Sequence, residues 1–112
     1  MPVVTFSTAG RGNCVVVAGV PYVYARTPDG GFVMPAQCPH RGGPLHLGRL
    51  APNGKRLVCP WHGGGSSLTR LRRQVPAVRS GDRVTAVLTD PDGAAAREPR
   101  TEYRPLSADL SA

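Results

Sequence analysis

Two short segments of the chain combine residue types that hold metal centres: Cys38-Pro39-His40 and Cys59-Pro60-Trp61-His62. Each supplies one thiolate and one imidazole, each places proline directly after cysteine, and each runs on into glycine. A zinc finger orders its ligands as two cysteines and then two histidines on a helix. Here the order is Cys-His, Cys-His, with a single residue inside the first pair. Two such loops set side by side bring Cys38 next to Cys59 and His40 next to His62. That suits a dinuclear iron–sulfur site with both thiolates on one iron and both imidazoles on the other. Proline stiffens such loops, and glycine lets backbone N–H groups approach the sulfides. The same four side chains could also hold a structural zinc ion, so the donor set alone leaves two metals open.

The remaining sulfur and imidazole have structural readings. Cys14 lies within an apolar stretch and reads as a small buried hydrophobe rather than a ligand. His46, between Leu45 and Leu47, reads as a structural histidine of the first loop. Trp61 is placed to shield a bound centre or to touch a partner. All three histidines lie in or beside the two loops, so the chain offers no Ser/His/Asp or Cys/His catalytic arrangement.

The elements that position these loops read as strands. Gly (14) and Pro (12) are abundant in a chain of 112 residues, which means either disorder or a loop-rich β fold, and the valine-rich runs decide for the latter. Strands are expected over residues 3–6, 14–18, 21–25 and 32–36, with a turn at residues 10–13 and a hairpin turn at Thr27-Pro28-Asp29-Gly30-Gly31. Asn53-Gly54 signals a tight turn feeding a strand at residues 56–58. Residues 37–50 and 59–67 read as the two ligand loops, and residues 74–78 and 83–89 as closing strands around Ser80-Gly81-Asp82. No segment shows convincing helical periodicity. The expected fold is all-β: a small antiparallel sandwich or barrel with a two-loop cluster-binding subdomain. Residues 1–89 form the expected domain, and residues 90–112 a polar, proline-dotted tail packed outside or partly mobile.

Composition narrows the setting. The longest apolar stretch, residues 14–20, is far below the roughly 20 residues that cross a bilayer, so no membrane association is expected. The same stretch makes a poor signal peptide, and three cysteines, an odd number, argue against a disulfide framework; a reducing cytoplasm fits best. The net charge is +7, and no carboxylate occurs between Asp29 and Asp82, an interval holding Arg41, Arg49, Lys55, Arg56, Arg70, Arg72, Arg73 and Arg79. Nucleic acid is the usual suspect for such a surface, but the few aromatic residues do not interleave with the basic ones as stacking platforms would.

The run from Cys38 to Leu45, CPHRGGPL, followed by Cys59-Pro60-Trp61-His62-Gly63, resembles the two cluster-binding boxes of the Rieske family, with 18 residues between His40 and Cys59. The likeness extends loosely over residues 15–88. It implies a [2Fe–2S] cluster on Cys38, His40, Cys59 and His62, with electrons leaving through the imidazole edges. High-potential members of the family brace the loops with a cysteine in each; Gly43 and Trp61 stand at those positions here, so the chain resembles the ferredoxin and oxygenase branch. That branch continues after the second box with an aromatic residue and a Phe-Asp pair, where this chain has Gly64, Gly65, Ser66 and Ser67. An oxygenase also needs a mononuclear iron on two histidines and a carboxylate, and no histidine follows His62. The expectation is therefore an electron carrier between a reductase and a terminal oxygenase or other redox partner. Arg41, beside His40, points to a partner with an acidic docking face. The rival reading is a stand-alone or subunit-type Rieske enzyme whose own cluster takes part in small-molecule oxidoreduction.

Overall fold

The computed structural model describes residues 3–37, 43–61, 65–88 and 99–111. In chain order the strands are β1 (Val3–Ser7), β2 (Cys14–Val17), β3 (Val20–Thr27), β4 (Gly30–Pro35), β5 (Arg49–Leu50), β6 (Arg56–Val58), β7 (Gly65–Ser67), β8 (Ala77–Ser80), β9 (Arg83–Val87) and β10 (Arg100–Glu102). They form three antiparallel sheets, ordered β1-β9-β8, β10-β2-β3-β4 and β5-β6-β7. The all-β expectation holds. No described helix is long and apolar enough to cross a membrane.

Alternation explains the first sheet. Val4 and Phe6 of β1 turn inward while Val3 and Thr5 face out, and Val84 and Ala86 of β9 match them. On the outer face the Thr5 and Thr85 hydroxyls meet at 2.8 Å, a cross-strand pair that fixes register. The β3–β4 hairpin turns where the Pro-Asp-Gly signal places it, with Thr27 Oγ1 donating to the Gly30 carbonyl at 2.9 Å. Two clusters of buried side chains result. One joins Val4, Phe6, Val84 and Leu88 to Val15 and Tyr24. The other runs from Cys14, Val23 and Met34 through Leu45 and Leu57 to Cys59, and so carries the core into the ligand-bearing sheet.

Arg49–Leu50, read as loop, is β5, and the closing strand read at 74–78 lies instead at Ala77–Ser80. Two further segments differ more from the sequence expectation. Gly65–Ser67, read as loop, is a strand paired with β6, and a helix, α1 (Leu68–Gln74), follows it directly. Ser67 caps that helix, its Oγ accepting from the Arg70 N–H at 3.3 Å. Leu68 and Leu71 bury one side against β4, and Arg72 bonds Thr27 Oγ1 while lying over the Phe32 ring at 4.8 Å. The helix has only seven residues, too short for a 3.6-residue period to declare itself.

The second difference is at the C-terminal end. Residues 99–111 are a structural part of the sheet and core rather than an outer tail. β10 pairs with β2, Asn13 exchanges side-chain hydrogen bonds with the Arg104 backbone, and Leu110 is fully buried in the second cluster. Leu110→Ala should therefore cost about 2–5 kcal/mol in denaturant unfolding; a loss below about 1 kcal/mol would contradict this packing.

His46 is buried, its Nδ1 3.1 Å from the Ala36 carbonyl and its own carbonyl accepting from the Ser107 N–H. Burial outweighs the Ala36 hydrogen bond and lowers the imidazole pKa below its usual value, with Arg104 adding to the shift. The unfolded chain then binds the proton first. Its stabilising contribution is full above about pH 6.5 and is lost as pH falls through the depressed value. Unfolding midpoints should drop between neutral and mildly acidic pH, and His46→Asn should flatten that dependence. An unchanged slope in the variant would assign it to other groups.

Candidate metal centre

Cys59 follows β6 and ends fully buried among the side chains of the second core cluster, a free thiol. The loop that carries it is closed at its base by pairing of Val58 with Gly65, and the Arg56 guanidinium tightens the closure by donating to the Gly65 carbonyl at 2.7 Å. The first loop is closed in the same way by a backbone bridge between Gln37 and Pro44. Cys38, His40 and His62 lie outside the described residues, as do Arg41, Gly42, Gly63 and Gly64. Among the described residues no group of three or more His, Cys, Asp or Glu side chains converges.

What the structure does bring together is the rim of the two loops. Gly43, next after the first box, lies so close to the second that a Cβ there would stand 2.9 Å from Cys59 Sγ and 3.2 Å from Trp61 Cγ and Cδ2. Only a residue without a side chain fits this cradle. Gly43 and Trp61, the two positions where a bracing cysteine pair would fall, are thus neighbours in space. The Trp61 indole lies against Gly43 on one side yet remains 68% exposed, so it is a surface group as well as a cover. A hollow of about 340 Å³, lined by Leu47, Arg49, Val58 and Pro60, reaches Cys59.

The first loop is held from outside. A short 3-10 turn, Leu45–Leu47, folds its C-terminal side back, and Gly48 allows that turn to touch the Val58 carbonyl, where a Cβ would stand 2.8 Å away. Ser107 then bonds the His46 and Gly48 carbonyls, and Asp109 accepts the Leu50 N–H at 2.9 Å. These bracing residues were not singled out from the sequence. The available signal was the Leu106 and Leu110 pair, two apolar residues four apart in a polar stretch.

A buried thiol, a backbone pressed to its sulfur and two loops closed at their necks fit an iron–sulfur cluster. Cys59 would be one ligand, with Cys38, His40 and His62 from the boxes completing a thiolate and imidazole set. Such a cluster, when bound, accepts and releases one electron. Cys14 has a different environment: it is buried in β2, its Sγ 3.8 Å from Glu102 Oε1. Burial first and the Glu102 carboxylate second push its pKa to about 11, which keeps it a thiol.

The family model for the Rieske [2Fe-2S] domain matches residues 4–94, a stretch that contains both boxes and, but for Val3, all of the strands up to β9. No curated protein and no solved structure matches the chain. Domains of this family bind a [2Fe–2S] cluster and act in electron transfer. The match spans most of the chain, and the described geometry fits the cofactor: the protein belongs to the Rieske [2Fe–2S] family.

Proposed function

We propose that the protein is a one-electron carrier of the ferredoxin type. It holds its cluster through Cys38, His40, Cys59 and His62 and passes electrons from a reductase to an oxygenase or other metalloenzyme. The observation that carries the ligand assignment is the contact of Gly43 with Cys59 and Trp61, since it joins the flank of one box to the thiol of the other. His46, the one histidine outside the boxes, is buried with its Nδ1 on the Ala36 carbonyl, so it offers no exposed imidazole to a second iron. Two free buried thiols, Cys14 and Cys59, are consistent with work in the cytoplasm. The partners are proteins with acidic docking faces, matched to the carboxylate-free interval between Asp29 and Asp82. The carrier reading is tested by turnover: an oxygenase should work only with both this protein and a reductase present. Oxidation of a small molecule by the isolated protein would instead establish an enzyme.

Protein purified without air should be brown and carry the iron and sulfide of one [2Fe–2S] centre per chain, with a low average g value when reduced. Cys38→Ser or Cys59→Ser should abolish the centre, and loss of His40 or His62 should nearly do so. Cys14→Ser should leave it intact, whereas Gly43→Ala should lower cluster occupancy, because the new methyl and the Cys59 sulfur compete for one space. A colourless Cys14→Ser protein would overturn the ligand assignment.

Rieske centres span roughly −150 to +300 mV, and hydrogen bonds to sulfur raise the value. Gly64 stands where the high-potential branch has a serine donor, so the midpoint should fall in the lower half of that range. The nearby arginines act the other way, but solvation and screening weaken them. A voltammetric midpoint above about +150 mV would show the missing donor to be of little consequence.

A further inference from the structure

Directly after the second box, β7 and α1 enclose a groove of about 920 Å³. Arg56 forms one wall, Arg70 and Arg73 the other, with Ser66 and Thr69 between them, and no Asp or Glu lines it. Among the described residues the ion pairs are those of Glu102 with Arg100 and Arg104, so no described carboxylate answers the groove's guanidinium groups. Arg72, on the same helix, shows the contrast, since Thr27 and Phe32 employ it in holding α1 to β4. Arg56 is fixed at the groove edge by the Gly65 carbonyl, while the exposed Arg70 and Arg73 side chains make no described hydrogen bond. Like charges gathered around one groove raise the local potential and favour an anionic partner.

Position and shape say what kind of anion. Gly65 lines the groove three residues after His62, and chain geometry limits that span to about 11 Å. The Gly65 end of the groove therefore opens within that distance of the second box. Leu71 is the one aliphatic side chain along this open trough, which does not enclose a ligand as a small-molecule site does. No aromatic side chain lines it, so it has no platform on which bases would stack. We infer that this groove, walled by Arg56, Arg70 and Arg73, docks an acidic segment of the redox partner, rich in Asp and Glu, next to the second box. This rests on the carrier reading and gives the partner a seat.

The test uses the full cluster-loaded chain. A fluorescent polyglutamate peptide is bound at low salt and followed by anisotropy. Separately, the reduced protein is oxidised by hexacyanoferrate(III), each ion taking one electron, with and without unlabelled peptide. Arg70→Glu/Arg73→Glu should weaken peptide binding about tenfold or more and remove the peptide's inhibition of oxidation. Arg11→Glu/Arg83→Glu makes the same net-charge change at the far end of the β1–β9 pairing and should weaken binding less than about threefold. Arg70→Gln/Arg73→Gln should fall between wild type and the reversed pair. Equal losses in the two reversed pairs would overturn the inference, since net charge alone would then bind the peptide. Peptide that binds without slowing oxidation would overturn it too, by placing the seat away from the cluster. A single-stranded oligonucleotide that binds more tightly than the peptide, and depends on Arg70 and Arg73, would replace the acidic protein with nucleic acid. The cluster is read in the same samples by its visible and EPR spectra. A missing cluster counts against the carrier reading, and a cluster-loaded protein that ignores the peptide counts against the groove.

Discussion

The backbone of the first ligand loop touches the sulfur of the second at Gly43, where the remaining space does not admit a methyl group. Everything around that contact keeps the two loops at this distance. Pairing of Gln37 with Pro44 closes one neck, and pairing of Val58 with Gly65 closes the other. High-potential members of the family are implied to link the same two positions covalently; here the link is a packed indole against a glycine. Packing of that kind holds only while the surrounding core is intact. Site geometry and domain stability are therefore one property in this chain, with Leu45, Leu57 and Cys59 sharing a single cluster of buried side chains.

The C-terminal residues matter for the same reason. Ser107 and Asp109 hold the segment 46–50 by hydrogen bonds, and Leu110 anchors them in the core. Residues distant in sequence from both boxes thus restrain the first loop, and they lie beyond the stretch that the family model matches. The basic face has a comparable division of labour. Arg56 and Arg72 are fixed to Gly65 and Thr27, whereas Arg70 and Arg73, on the exposed side of α1, have no side-chain partner among the described residues.

Much of this was legible from the residues. The paired boxes pointed to a metal centre because thiolate and imidazole alternate within two proline-stiffened loops, and their resemblance to the Rieske boxes decided for a cluster over zinc. The hairpin at Asp29-Gly30, the Asn53-Gly54 turn and the alternating β1 and β9 follow from local preference and from burial on one face. What escaped notice depended on partners far along the chain. Leu68 and Leu71 span a single helical turn, and only β4 beneath them reveals α1 as a buried face. Arg100–Glu102 is polar and lacks strand patterning, because it joins β2 through backbone pairing at a sheet edge. The tight approach at Gly43 likewise needs both loops folded before the glycine acquires a reason.

The pairing of β1 with β9, from Val3 to Val87, and of β10 with β2, from Arg100 to Val16, makes closure of both sheets depend on residues far apart in the chain. Contacts so distant in sequence close slowly, since loop entropy must be spent before any of them forms. Until then Cys14 and Cys59, both sealed from solvent in the finished domain, are open to oxygen and to each other. Thiol oxidation in the open chain would compete with closure of the sheets, and a reducing surrounding would favour the native state.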